Sequence, residues 1–175
     1  HTTRPRSGGL NTVDVGDMRP TTWFISDVLM FIGGGSASTA GGIKVTTFGL
    51  LAFVLWAEVR GETSVLVGKR RIPADNQRQA LTVALLSIAV VAVTTLILLA
   101  ITPYSLDRVL FEAVSAFATV GLSTGITGDL NEAATVLLSI MMIVGRVGPL
   151  TVATALALRQ RTRRYDRPEE RTIIG

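Results

Sequence analysis

The sequence contains no cysteine and only one histidine, His1. Disulfides and thiolate metal sites are therefore excluded, and one imidazole cannot build a transition-metal site alone. No pair of carboxylates lies within an apolar segment, so no set of groups capable of acid, base or nucleophilic catalysis stands out. The chain is accordingly expected not to be an enzyme and to carry no cofactor. The first 20 residues are not expected to be a secretory leader, because they hold no short apolar stretch behind a basic start. Residue 1 is His rather than Met, and the opening residues read as the end of something begun upstream. Basic charge is scarce between Thr102 and Glu132, where Arg108 stands alone.

What is abundant is apolar: 48% of the residues are hydrophobic, and the mean hydropathy is +0.47. Leu81 to Ile101 carries no charge, Ala133 to Leu158 carries one, and Thr21 to Ala57 is largely apolar but broken in its middle. The first two runs are long enough to cross a hydrocarbon core of roughly 30 Å at about 1.5 Å per residue. The composition predicts a membrane protein embedded in a lipid bilayer. Basic residues cluster on the flanks, at Arg60, Lys69, Arg70, Arg71 and Arg78 and again from Arg159 to Arg171. By the positive-inside bias, the 61–78 loop and the 159–175 tail are expected in the cytoplasm, with 102–132 facing outward or dipping inward. A nucleic-acid-binding surface is the other reading of a basic run; the flanking apolar segments favour the membrane, and no nucleic-acid partner is expected.

The chain repeats itself. Gly9-Leu10-Asn11-Thr12 through Gly16-Asp17-Met18 matches Gly121-Leu122-Ser123-Thr124 through Gly128-Asp129-Leu130 at a constant offset of 112 residues. The same offset pairs Met30 with Met142, Gly33 with Gly145 and Thr39 with Thr151 without a gap. A pattern held in register over this length points to duplication. The second copy predicts a helix over 79–102, broken by Pro103, then a short helix over 106–118 that Ser105 or Asp107 can cap. A polar glycine segment at 119–123 follows, and then a full span over 130–158. A helix too short to cross, an irregular segment and a full span together form a re-entrant pore loop, since irregular backbone at membrane depth needs protein or water around it. An external loop is the alternative, and it would leave Val109, Leu110, Phe111, Val114 and Phe117 in water.

A dehydrated alkali cation needs oxygen dipoles in place of its hydration shell, and backbone carbonyls supply them. Thr119-Val120-Gly121-Leu122 has the form of such a filter, and Ser7-Gly8-Gly9-Leu10 is its counterpart in the first copy. The short helix would aim its negative end at the ion. An ordinary turn is the plain reading of either glycine alone; the duplication favours the filter.

Residues 20–60 as one straight helix would extend well beyond the hydrocarbon core. They are expected to form a broken helix whose flexible loop comprises Gly33, Gly34, Gly35, Ser36, Ala37, Ser38, Thr39, Ala40, Gly41, Gly42 and Ile43. This is no phosphate loop: Ile43 separates Gly42 from Lys44, Val45 follows the lysine, and Ser38 stands where a dinucleotide fingerprint needs its third glycine. Arg146 lies alone near the middle of 133–158, where an unpaired arginine costs at least about 2.5–3.5 kcal/mol and so must face protein or water. It is expected to brace or gate the glycine loop through the loop's carbonyls. Asp27 is expected in the outer leaflet near water, and Lys44 to reach toward the cytoplasm.

The segments R-S-G-G-L-N-T-V-D (6–14), M-F-I-G-G-G-S-A-S-T-A-G-G-I-K-V-T-T-F (30–48), F-A-T-V-G-L-S-T-G (117–125) and G-R-V-G-P-L-T (145–151), in this order, resemble the Ktr-type branch of the Trk/Ktr/HKT superfamily. The resemblance implies an all-α membrane protein of four helix, pore-loop, helix units around one pore. Residues 1–60 would then close the third unit, with a filter segment at 6–12, and 79–158 would form the fourth. It further implies that Gly9 and Gly121 are filter glycines, that 33–43 is an intramembrane gate and that Arg146 faces that gate. The substrate implied is potassium, and the partners are a second copy of the protein and a cytoplasmic nucleotide-binding regulatory ring of the KtrA/TrkA type. Where the family commonly has T-A-G-F in the third unit, this chain has Ser7-Gly8-Gly9-Leu10. A secondary transporter of sodium or of an anionic small molecule, built on broken helices, is the competing class.

Overall fold

In the computed structural model, residues 15–35, 41–61, 66–67 and 70–158 are described. Five α-helices follow one another: α1 Pro20–Phe31, α2 Val45–Val59, α3 Ala74–Ile101, α4 Leu106–Ala118 and α5 Glu132–Leu158. The fold is all-α apart from a small antiparallel pairing in the basic loop, where β1 Leu66–Val67 meets β2 Arg70–Arg71 with Leu66 opposite Arg71.

Local chemistry sets the helix ends. Pro20 occupies the first turn of α1, where its fixed φ suits a helix and its missing N–H is not needed. Helix α3 begins at Ala74, five residues before the apolar run suggested, because Pro73 precedes it and Asp75 lies in the first turn, where a negative charge favours the helix dipole. It stops at Thr102, whose extended backbone (ψ 149°) is the conformation a following proline demands. At the start of α5, Asn131 Oδ1 accepts the amide of Ala134 at 2.8 Å. The same side chain donates to the carbonyl of Ile101 at 3.3 Å, tying the head of α5 to the foot of α3.

Helix α4 is the centre of the molecule. Val109 and every residue from Phe111 to Ala118 are buried, and α1, α3 and α5 pack around the helix. The helix is enclosed by protein along its C-terminal half, and its small residues Ala113, Ala116 and Ala118 let the neighbouring backbones approach closely. The outer faces have the opposite pattern to a water-soluble protein: Leu55, Trp56, Leu85, Leu96, Val136 and Ile143 are exposed. Helix α3 is long and apolar enough to cross a membrane. It satisfies buried hydroxyls by turning them back on its own carbonyls, Ser87 to Val83 at 2.8 Å and Thr95 to Val91 at 2.9 Å.

Between α1 and α2 the backbone is stitched together rather than splayed. Gly33 donates to the carbonyl of Ile43 at 2.9 Å, Ile43 to Phe31 at 3.2 Å and Val45 to Gly34 at 3.2 Å, so Ile32 and Ile43 form a parallel bridge. The glycine-rich loop thus leaves and returns at one point. Asp27, expected near water, is instead buried on α1, with Oδ1 lacking a hydrogen-bond partner among the described residues. The reason is that α1 lies against α4, so the face bearing Asp27 turns inward.

Candidate functional site

The site is built at the C-terminal end of α4. The amide of Thr119 donates to the carbonyl of Ala116 at 3.1 Å, and that of Val120 to Ser115 at 3.0 Å. These two bonds are the paired closure that commonly ends a helix on a left-handed residue. That residue is usually glycine, yet here it is Thr119, with φ 55° and ψ 37°. A β-branched side chain in this region is strained, and such strain persists only where the surroundings enforce it. Gly121 then has φ +83°. Open space surrounds the position where its Cβ would be, so conformation and not room makes it glycine.

Positive φ occurs at alternate residues, 119 and 121, with Val120 outside that region. The side chains of Val120 and Leu122 are buried, while Gly121 between them is exposed. Among the described residues, the carbonyls of Thr119, Val120 and Gly121 accept no hydrogen bond. Leu122 differs: its carbonyl accepts the buried hydroxyl of Ser115 at 2.6 Å and is drawn toward the helix. The negative end of the α4 dipole lies directly behind these oxygens.

The glycine loop docks onto this same point. Gly41 donates its amide to Thr119 Oγ1 at 3.0 Å, and a Cβ on Gly41 would meet the carbonyl of Phe117 at 2.7 Å. Gly42 donates to the carbonyl of Gly145 on α5 at 3.3 Å. Gly145 itself is pressed so closely onto the backbone of Phe117 that a methyl group there would collide with it. The ring of Phe117 stacks on Phe31 at the end of α1, with centroids 6.1 Å apart.

Thus Gly41, Gly42, Thr119 and Gly145 converge, with Gly33 touching Gly41 through backbone alone. Gly34 and Gly35 lie at the loop's entrance, and Gly34 accepts the amide of Val45. Ser36, Ser38 and Thr39, and the first-copy filter Ser7, Gly8, Gly9 and Leu10, lie outside the described residues. Arg146 is exposed and has no hydrogen-bond partner among the described residues. Its side chain makes no hydrogen bond to residues 33–35 or 41–43 of the loop, and residues 36–40 lie outside the described residues.

Three contributors escaped the sequence reading. Ser115 and Glu112 on α4 hold residues 122–127, and Phe117 packs against both the loop and α5. A carboxyl group in the middle of a short apolar helix was a usable signal, since burying it requires partners.

The fold and site define an all-helical membrane protein. Comparison with known proteins sharpens this. The model of the TrkH family, described as cation transport protein, matches residues 2–164. The chain is 40% identical over 173 residues to the Ktr system potassium uptake protein D of Bacillus subtilis (strain 168), covering 99% of this chain and 38% of that protein. It is 37% identical over 171 residues to the Ktr system potassium uptake protein B of Vibrio alginolyticus, covering 97% of this chain and 37% of the relative. It is 35% identical over 177 residues to the potassium/sodium uptake protein NtpJ of Enterococcus hirae, covering 98% and 39%. The chain therefore spans less than two-fifths of the length of these relatives. It belongs to the TrkH family of cation transport proteins, whose members are transport proteins and not enzymes.

Proposed function

We propose that the complete protein moves potassium across the membrane through a carbonyl-lined filter, to which this chain contributes residues 119–122 and, in the first copy, residues 7–10. The observation that carries this reading is the run of three carbonyls at Thr119, Val120 and Gly121 that accept no hydrogen bond among the described residues, held at the negative end of a buried helix. Carbonyls with no protein donor are open to coordinate, and a monovalent cation can take the place of water at them. The carbonyl of Leu122, engaged by Ser115, closes the filter rather than lining it.

The loop at 33–43 is the gate in this reading. Its base is fixed and its far end rests on Thr119 and Gly145, so moving it alters the filter's own support. Basic residues on the 61–78 loop and in the 159–175 tail support a cytoplasmic position for both, in a multi-pass protein of the plasma membrane. A homodimer seated on a cytoplasmic nucleotide-binding ring is the assembly we propose, in keeping with relatives named as parts of a Ktr system.

The decisive experiment is uptake by the full-length protein with Gly121→Ser. Forcing a side chain into φ +83° should lower potassium affinity or its preference over sodium. Unchanged uptake kinetics would remove the filter assignment. Competition by rubidium supports the cation pathway, whereas competition by an amino acid or phosphate would replace it with an anion transporter.

A further inference from the structure

Beyond the filter, the chain doubles back along α4 and meets Glu112, which is 5% exposed. Its Oε1 accepts the hydroxyl of Ser123 at 2.6 Å, the amide of Thr124 at 2.9 Å and the hydroxyl of Thr124 at 3.2 Å. Its Oε2 accepts the hydroxyl of Thr127 at 2.9 Å. Ser123 and Thr127 lie 2.7 Å apart, oxygen to oxygen, so either hydroxyl can turn from the carboxyl group to the other and complete a ring, and Ser123 Oγ also accepts the amide of Gly125.

From these contacts we infer that Glu112 is a positioning residue for cation selectivity: its carboxyl group clamps residues 123–127 and thereby fixes where the filter carbonyls point. The inference rests on the filter reading above and adds a residue that touches no ion. The physical reason is leverage. Residues 119–122 are anchored at one end by the closure of α4 and, among the described hydrogen bonds, at the other by Ser115 and by this ring. A carbonyl ring discriminates between ions through the number and placement of its dipoles, so it needs both ends held. Four polar groups converging on one carboxyl group in the interior is also an arrangement whose members rigidify one another when every one is satisfied.

Shape and charge can be separated. Glu112→Gln keeps the ring: the amide nitrogen donates to Thr127, Thr127 to Ser123, and Ser123 to the remaining oxygen. Glu112→Ala removes every bond, and Ser123→Ala with Thr127→Val opens the ring from its accessible side, leaving the core helix intact.

The test is inhibition of rubidium uptake by sodium and by potassium in the full-length protein, with membrane abundance measured for each variant and Gly121→Ser alongside. Glu112→Ala and the double variant are expected to lose about tenfold in discrimination, equivalent to about 1.4 kcal/mol, while Glu112→Gln stays near the wild type. If Glu112→Ala does not reach the membrane, the double variant decides. Wild-type discrimination in the double variant, or a loss in Glu112→Gln as large as in Glu112→Ala, would overturn the inference. Should Gly121→Ser alone alter discrimination, the filter stands and the clamp falls; should Gly121→Ser alter nothing, both fall.

Discussion

The carbonyl of Gly145 in α5 accepts the amide of Gly42 from the glycine-rich loop at 3.3 Å. That carbonyl is available because the residue four positions on is Pro149, which has no N–H to give it. Helix α5 continues through Pro149 to Leu158, so the proline does not end the helix; it leaves one acceptor open, and the loop takes it. A defect in helical bonding is thereby used to hold a second segment of chain.

Pro149→Ala should weaken that hold. The restored N–H would compete with Gly42 for the Gly145 carbonyl while the helix itself gained stability. If the docked loop is the closed gate, basal rubidium uptake by the full-length protein rises about fivefold, the population change that about 1 kcal/mol brings. Uptake at the wild-type level, with the protein present in the membrane, would show that this bond does not control the loop.

Thr119→Val tests the other contact of the loop. Valine keeps the volume and β-branching of threonine but removes the oxygen that accepts the Gly41 amide, a loss of about 1 kcal/mol for a hydrogen bond of this kind. If Thr119 belongs both to the proposed filter and to the resting place of a closed gate, the variant should raise basal uptake and shift the potassium-to-sodium preference together. A change in one without the other would separate the two functions that meet at this residue.

The helical class was legible because lipid as solvent leaves long apolar runs, and Pro103, Ser105 and the glycines beyond Thr119 bracket a short helix in plain view. The interior of the site was not. Glu112 and Ser115 lie three residues apart on α4 and acquire meaning only when residues 122–127 fold back beside them, a pairing no local pattern announces. Asp27 was misplaced for a similar reason: hydropathy locates a residue along a helix but not around it, and only the packing of α1 on α4 shows which face turns inward. The link between Pro149 and Gly145 could have been found, since a proline within an apolar span always frees the carbonyl four residues before it.

Gly145→Ala should act on stability before it acts on flux. A methyl group would collide with the backbone of Phe117, and no rotamer can avoid it because main-chain atoms are in the way. Separating α5 from the end of α4 costs roughly 1–3 kcal/mol, as overpacking does elsewhere. The thermal midpoint of the purified full-length protein should fall, and the neighbouring Gly148→Ala, whose added methyl meets only a valine side chain at 3.6 Å, should leave it nearly unchanged. Equal midpoints for the two variants would mean that the contact with Phe117 yields.

Arg146 follows Gly145 in α5 and is exposed, so its side chain lies clear of the seam between α4 and α5. If its guanidinium holds the loop interior across the pathway, Arg146→Ala and a deletion within 34–41 should each raise rubidium flux. The two changes act on one object, so combining them should give no more flux than the deletion alone, the non-additivity expected of groups in a single contact. Additive increases would place arginine and loop in separate barriers. A stable Arg146→Ala protein with wild-type flux and regulation would leave the arginine without a gating role, and the loop's control would then rest on Thr119 and Gly145 alone.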